Sequence, residues 1–283
     1  MSLFREKMIR NLALVALSAS AWIRVWRPKL WRWWYNHLAQ RDQDGELLFM
    51  NYGYLNSNQS PIELTEKQQP YRHSIQLYEH VVETLDMRGC DVLEVGCGRG
   101  GGLDHLAMVK QVNQVIGVDL SPSAIAWCRE NARFAKSLYL EGSADSLPLD
   151  DESIDVAVNV ESSHCYPSFS KFVDEVYRVL KPGGYFAFCD LRVPKGIEDI
   201  DQVFKQSRFV EIKTEDISPY VVAALEEISP SREAKITEIV PKKFQALFRE
   251  FAAVTGTKIH RMLKSGQMIY TARVYQKPDS VQQ

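Results

Sequence analysis

The spacing of apolar positions changes along this chain. From Gln68 to Leu85 they recur at helical intervals (Ile75, Tyr78, Val82 and Leu85), which predicts a helix. Short apolar runs bounded by turns follow: Asp91–Val95, Gln114–Val118, Leu138–Gly142, Ile154–Val160 and Tyr185–Phe188. Runs apolar on both faces suit strands covered on both sides. Between them, Gly102–Lys110, the stretch carrying Ile125, Cys128 and Ala132, and Ser168–Leu180 with Phe172, Val176 and Val179 return to helical spacing. Ser121 stands where it caps the second of these, with Pro122 at the first helical position. Lys181-Pro182-Gly183-Gly184 reads as a stop and a turn.

Strand–helix alternation with short connections implies an α/β fold, a parallel sheet between two helical layers. The last third differs. Ile197 to about Val254 is mostly helical in pattern, with breaks expected at Pro219, Pro230 and Pro241. Lys258–Leu263 and Met268–Tyr275 read as two strands around Lys264-Ser265-Gly266. The expected fold is Rossmann-like and doubly wound: a mostly parallel seven-stranded sheet with an antiparallel C-terminal hairpin. A helical cover (197–254) would lie over the carboxyl ends of the strands, where ligands bind in such sheets. Residues 26–90 would add N-terminal lid helices, 91–277 the main domain and 278–283 a tail.

The first residues break this plain pattern. Arg5, Lys7 and Arg10 precede an apolar run, Leu12 to Ile23, and five tryptophans from Trp22 to Trp34 are interleaved with Arg24, Arg27, Lys29 and Arg32. The run is shorter than the ~20 residues that span a bilayer. It mimics an export signal, so residues 1–25 are set apart as an extension. Tryptophan among basic residues suits a membrane interface, which makes peripheral membrane contact through residues 1–34 one reading and packing on the domain the other.

Composition excludes more than it proposes. Among 283 residues, 45% are hydrophobic and 25% charged, as in ordinary globular proteins, and the net charge of −2 points to no nucleic-acid surface. Five cysteines (Cys90, Cys97, Cys128, Cys165, Cys189) show no metal-ligand spacing, so no metal is expected and a reducing, cytoplasmic setting is the simplest reading.

The chemistry concentrates in Val92 to Gly102, VLEVGCGRGGG. A strand carrying Glu94 runs into a loop with Gly96, Gly98, Gly100, Gly101 and Gly102, then a helix. Glycines let a ligand lie against bare backbone, and helix N-termini offer free N–H groups. Gly96, Gly98 and Gly101 satisfy a dinucleotide fingerprint; Gly96, Gly98 and Gly100 equally satisfy the E/DxGxGxG pattern of S-adenosylmethionine (SAM) binding. Glu94 favours the latter, because an anion suits a cationic sulfonium and ammonium better than a diphosphate.

The glycine loop, Asp119 closing strand two, and Arg178–Gly184 (RVLKPGG) resemble class I SAM-dependent methyltransferases in order and spacing. NVESSHCYP (Asn159–Pro167), KPGGYF and DLR (Asp190–Arg192) look closer still to the phthiotriol and phenolphthiotriol dimycocerosates methyltransferases, which methylate a hydroxyl of a polyketide-derived lipid. Polyketide-tailoring O-methyltransferases look similar too. The likeness runs from about Leu30 to Lys277.

The resemblance implies SAM as cofactor and a hydroxylated lipid- or polyketide-like acceptor, free or carrier-bound. It implies Asp119 on the ribose hydroxyls beside Leu120, and Gly142-Ser143-Ala144-Asp145 at the adenine edge. Ser143 stands where the family often has Asp, so the adenine partner stays open between Ser143, Asp145 and water. Asn159 would reach the methionine part. Tyr52 and Tyr54 in NYGYL resemble an aromatic lid. His164, after strand four, and Asp190, after strand five, resemble the His–Asp pair of rebeccamycin-type sugar O-methyltransferases. An alcohol needs a base for its proton, and a carboxylate fixes the imidazole that supplies it. Cys165 and Cys189 read as small hydrophobes. A C- or N-methyltransferase, a NAD-dependent oxidoreductase and a non-enzymatic SAM-binding or membrane-docked scaffold are the alternatives.

Overall fold

The computed structural model describes residues 48–58 and 62–279. The extension 1–25, the proposed membrane contact of 1–34 and residues 280–283 of the tail lie outside them.

Seven strands form one sheet: β1 (Asp91–Val95), β2 (Gln114–Asp119), β3 (Ser137–Glu141), β4 (Ile154–Val160), β5 (Leu180–Arg192), β6 (Val210–Asp216) and β7 (Ile269–Gln276). Their order is β3-β2-β1-β4-β5-β7-β6, and β7 runs antiparallel to both β5 and β6. The expected mostly parallel seven-stranded architecture is what forms. Alternate residues of each central strand feed two cores. Leu93, Val95, Phe186 and Phe188 pack under α4 (Phe169–Val179) and α5 (Pro194–Gln206). Val92, Val156, Val158 and Ala187 face the opposite way, toward α1 (Arg72–Val81), α2 (Gly101–Val109) and α3 (Pro122–Asn131). That face also takes residues of α6 (Ser218–Ile239) and α8 (Lys258–Lys264), and α7 (Lys242–Phe251) lies between those two helices in sequence. Residues buried on both faces explain why the strands read as continuous apolar runs.

Four expectations are corrected. Lys258–Leu263 is not a strand but part of α8, because its buried residues, His260 and Leu263, sit three apart on one helical face. The antiparallel partner of β7 is β6 instead, an edge strand within the stretch expected to be helical. Its charged side chains, Glu211, Lys213 and Glu215 among them, gave no apolar run, and charges of this kind protect an edge. Pro230 does not break its helix: α6 continues through it, with the Ser229 hydroxyl donating to Leu225 O in the same turn. Finally, the helix does stop before 181–184 as expected, but those residues are an irregularity inside β5 and not a turn ahead of it. Leu180 pairs with Ile154, and pairing resumes at Tyr185 with Val156.

This topology decides where a ligand binds. After β1 the chain moves outward to β2 and β3, then returns across β1 to β4. The loops after β1 and β4 therefore diverge from adjacent strand ends, which is the switch point of a doubly wound sheet.

Candidate active site

The loop after β1 is built around left-handed backbone. Gly96 (φ +75°), Gly98 (φ +53°) and Gly100 (φ +74°) all occupy it, and Gly100 is the residue that caps α2. At Gly96 a side chain is doubly excluded. A Cβ there would overlap the Ser162 hydroxyl and lie 2.6 Å from the Tyr166 hydroxyl, so the loops after β1 and β4 touch at this point. Gly96→Ala is therefore expected to cost about 1–3 kcal/mol of stability and to weaken SAM binding, read by thermal melting and calorimetry.

Two buried acceptors beside this loop lack partners. Glu94 is 1% exposed; its Oε1 accepts from the Tyr78 hydroxyl at 2.6 Å, and its Oε2 has no hydrogen bond. Burial pushes its carboxyl up to about 8, against the Tyr78 bond, with the Asp119 charge adding to the rise. Asn159 is fully buried in β4. Its amide nitrogen is 2.8 Å from Val95 O and 2.9 Å from the Tyr166 hydroxyl, while Oδ1 is unpaired. Orphaned acceptors of this kind are costly in an interior. At the carboxyl ends of adjacent strands they fit a ligand that brings donors and positive charge, as the ammonium and sulfonium of SAM do.

Asp119 closes β2 and ties two loops together. Its Oδ2 accepts from Gly98 N–H at 2.9 Å and its Oδ1 from Ser121 N–H at 2.8 Å. Leu120 beside it is exposed, Ala144 is buried, and the Ser143 hydroxyl bonds to the Asp145 carboxylate. Arg99 stacks its guanidinium over Trp127. Tyr54 is buried, with its ring stacked on His80 at 4.2 Å and tilted against Tyr220. That ring is engaged in packing between α1 and α6.

The turn after β4 brings His164 to Asp190. His164 Nδ1 lies 2.8 Å from Asp190 Oδ1, and His164 N–H donates to Oδ2 at 2.9 Å. The Ser163 hydroxyl also donates to Oδ2 (2.6 Å), Leu191 N–H donates to Oδ1 (2.7 Å) and Arg192 pairs with Oδ2 at 3.0 Å. Asp190 lies within β5, not after it, and is fully buried; the His164 side chain is 38% exposed and so within reach of a ligand. Burial alone would raise the Asp190 carboxyl. The His164 charge and hydrogen bond, with Arg192 and Ser163, outweigh it and hold the group below the usual carboxylate range. For His164, burial opposes charge, but the Asp190 carboxylate and the Cys165 thiol hold the imidazole well above its ordinary value.

Sequence reasoning missed Glu161, the residue directly after β4. Its Oε2 accepts from Tyr52 N–H at 2.8 Å and from the Tyr270 hydroxyl at 2.9 Å. An acid at the carboxyl end of a central strand was the available signal. Elsewhere, His80, Glu83 and Glu215 could converge on a cation, but Lys213 bridges both carboxylates, at 2.6 and 2.9 Å, and already supplies the positive charge.

Comparison with known proteins shows the family. Residues 93–188 match the family model described as a methyltransferase domain. The phthiotriol/phenolphthiotriol dimycocerosates methyltransferase of Mycobacterium leprae is 31% identical over 86% of this chain and 90% of that protein. A fatty-acid O-methyltransferase of Mycolicibacterium smegmatis is 37% identical over 68% of this chain and 70% of its own. Among solved structures, the geranyl diphosphate C-methyltransferase of Streptomyces coelicolor, bound to S-adenosylhomocysteine, shares the fold. Its TM-score is 0.60 at 16% identity, covering 86% of this chain and 98% of that one. SAM is the cofactor. The chain belongs to the family of the phthiotriol/phenolphthiotriol dimycocerosates methyltransferases, within the SAM-dependent methyltransferases.

Proposed function

We propose that the protein transfers the methyl group of SAM to a hydroxyl oxygen of a lipid- or polyketide-like small molecule, with His164 as general base and Asp190 orienting it. The observation that carries this reading is the 2.8 Å contact between His164 Nδ1 and an Asp190 that four further groups hold in place. Bound SAM supplies a methyl carbon made electrophilic by its sulfonium. Glu94 Oε2 and Asn159 Oδ1 would hold the donors of its methionine end, Asp119 its ribose hydroxyls, the glycine loop would offer bare backbone beside it, and Ser143 and Ala144 would hold the adenine. Asp190 fixes the Nδ1–H tautomer, so Nε2 is the atom that takes the acceptor's proton. Alignment of the acceptor oxygen with the methyl group supplies much of the remaining rate.

The two relatives support an apolar acceptor, since one is named for phthiotriol and the other for fatty-acid O-methylation. No helix among the described residues is long and apolar enough to cross a membrane. Incubation with methyl-labelled SAM and a panel holding 1,2-dodecanediol, hydroxylated polyketides, dodecanoate and dodecylamine tests the reading. Label is expected on the hydroxylated members; label confined to the amine would overturn it. For the cofactor pocket, Asp119→Ala is expected to weaken SAM by roughly 1.5–3 kcal/mol, the worth of a charge-assisted bond. Equal affinity in calorimetry would remove Asp119 from the ribose.

A further inference from the structure

Two glycines of the run after β1 stand outside the SAM pattern. Gly101 and Gly102 open α2, where glycine weakens a helix because its backbone has more freedom to lose. Neither shares the left-handed backbone of Gly96, Gly98 and Gly100. What they supply is clearance. A Cβ at Gly101 would lie 2.6 Å from Leu48 Cγ and 2.8 Å from Leu48 O, and one at Gly102 would fall inside the Tyr78 ring. Gly102 thus admits Tyr78 of α1 against the backbone of α2, and from there the Tyr78 hydroxyl reaches Glu94 of β1 at 2.6 Å.

Packing accounts for the ring and not for the hydroxyl. Tyr78 belongs to the apolar core with Leu103 and Leu106, where a phenylalanine would fill the same space and bury no polar atom. Phe49 lies edge-on against the ring, with centroids 6.0 Å apart, so the bond to Glu94 runs through a dry interior that strengthens it. That bond falls on Oε1. It sets the rotation of the carboxylate and with it the direction of Oε2, the oxygen left without a partner. We propose that Tyr78 is a positioning residue for SAM: its hydroxyl fixes the Glu94 carboxylate so that Oε2 is presented to the ammonium of the cofactor, and Gly102 is the clearance this requires. The inference rests on the reading that places the ammonium at Glu94.

The phenol stays a donor while the acid titrates. Burial, then the charge and hydrogen bond of Glu94, push the Tyr78 hydroxyl well above its ordinary value. The groups facing Glu94 are Tyr78 on α1, Asp119 at the end of β2, and the Leu103 N–H and Asp104 on α2; the Cys97 and Cys189 thiols face Tyr78 from the glycine loop and β5. Burial raises the Glu94 carboxyl most. The Tyr78 bond and the Leu103 amide favour its ionised form, and the Asp119 and Asp104 charges oppose it. Tyr78 therefore acts twice: it aims the acid, and it eases loss of the proton that the ammonium replaces.

Tyr78→Phe keeps the ring and removes the one oxygen. SAM affinity of the full chain is measured by calorimetry from about pH 6 to about pH 10, wild type and variant side by side. The cofactor's own amine titrates alike in both, so the ratio of the two affinities reports the protein. The variant is expected to bind about tenfold more weakly at neutral pH, with the ratio shrinking as pH rises past about 8, because the lost bond favoured the charged carboxylate. An affinity within about twofold of wild type at neutral pH, or a loss that does not shrink with pH, would overturn the proposal; a constant loss is what disturbed packing alone produces. Glu94→Gln in the same titration separates the two readings. If it binds SAM as wild type does at every pH, the ammonium is not at Glu94. If it flattens the pH dependence while Tyr78→Phe matches wild type, the placement stands and only the positioning role fails.

Discussion

Replacing His164 with alanine is expected to lower kcat by about 10²- to 10⁴-fold while SAM affinity stays within about twofold, because a positioned base contributes that much to proton removal and nothing to cofactor binding. Asp190→Asn should fall in the same range, since an amide cannot both accept from Nδ1–H and neutralise the imidazolium. The double variant should be little worse than either single one, as groups that act as a unit are not additive. The pH dependence has a definite sign. Asp190 holds the imidazole well above its ordinary value, so the cationic form of His164 persists to higher pH than in a free imidazole. Only the neutral form accepts a proton. Turnover should therefore rise with pH, with a midpoint above 6.5, and Asp190→Asn should move that midpoint down. A bound sulfonium nearby disfavours a second positive charge and so helps to free the base. Stability follows the opposite course. The His164 pairing contributes fully below 6.5 and is lost as pH climbs through the raised value, whereas that of Asp190 is present above 3.8 and lost on acidification below it.

SAM binding itself should depend on pH through Glu94. With its carboxyl pushed up to about 8, Glu94 is protonated in the ligand-free protein at neutral pH. If its Oε2 receives the cationic end of SAM, binding must expel that proton. The dissociation constant should then fall by up to about tenfold for each pH unit approaching 8, with protons released to the buffer. Glu94→Gln should flatten the slope and reduce proton release. Calorimetry in buffers of differing ionisation enthalpy measures both; equal slopes in wild type and variant would place the ammonium elsewhere.

Much of this was legible before any coordinates. β1 and β4 have the bounds their apolar runs predict, because strands buried on both faces leave no ambiguity of period. The glycine loop and the Ser121 cap followed from local chemistry, whereas Asp190, expected after strand five, lies inside β5, which runs on to Arg192 by pairing with β7. What escaped was set by tertiary contact. Val210–Asp216 becomes a strand only because β7 pairs with it, and its own side chains are mostly exposed. Tyr54 looked like a lid and stacks on His80, a contact between segments that sequence does not bring together. Glu161 was read as part of a motif without a role, since neither its left-handed backbone nor its enclosure by Tyr52 and Tyr270 leaves a trace in residue spacing.

The most direct measurement is to follow carbon-13 from methyl-labelled SAM into a hydroxylated lipid by NMR, with wild type and His164→Ala side by side. A methyl ether that forms with wild type and is strongly diminished with the variant is the expected result. A label on carbon or nitrogen, or a methyl ether formed equally well without the imidazole, would contradict it.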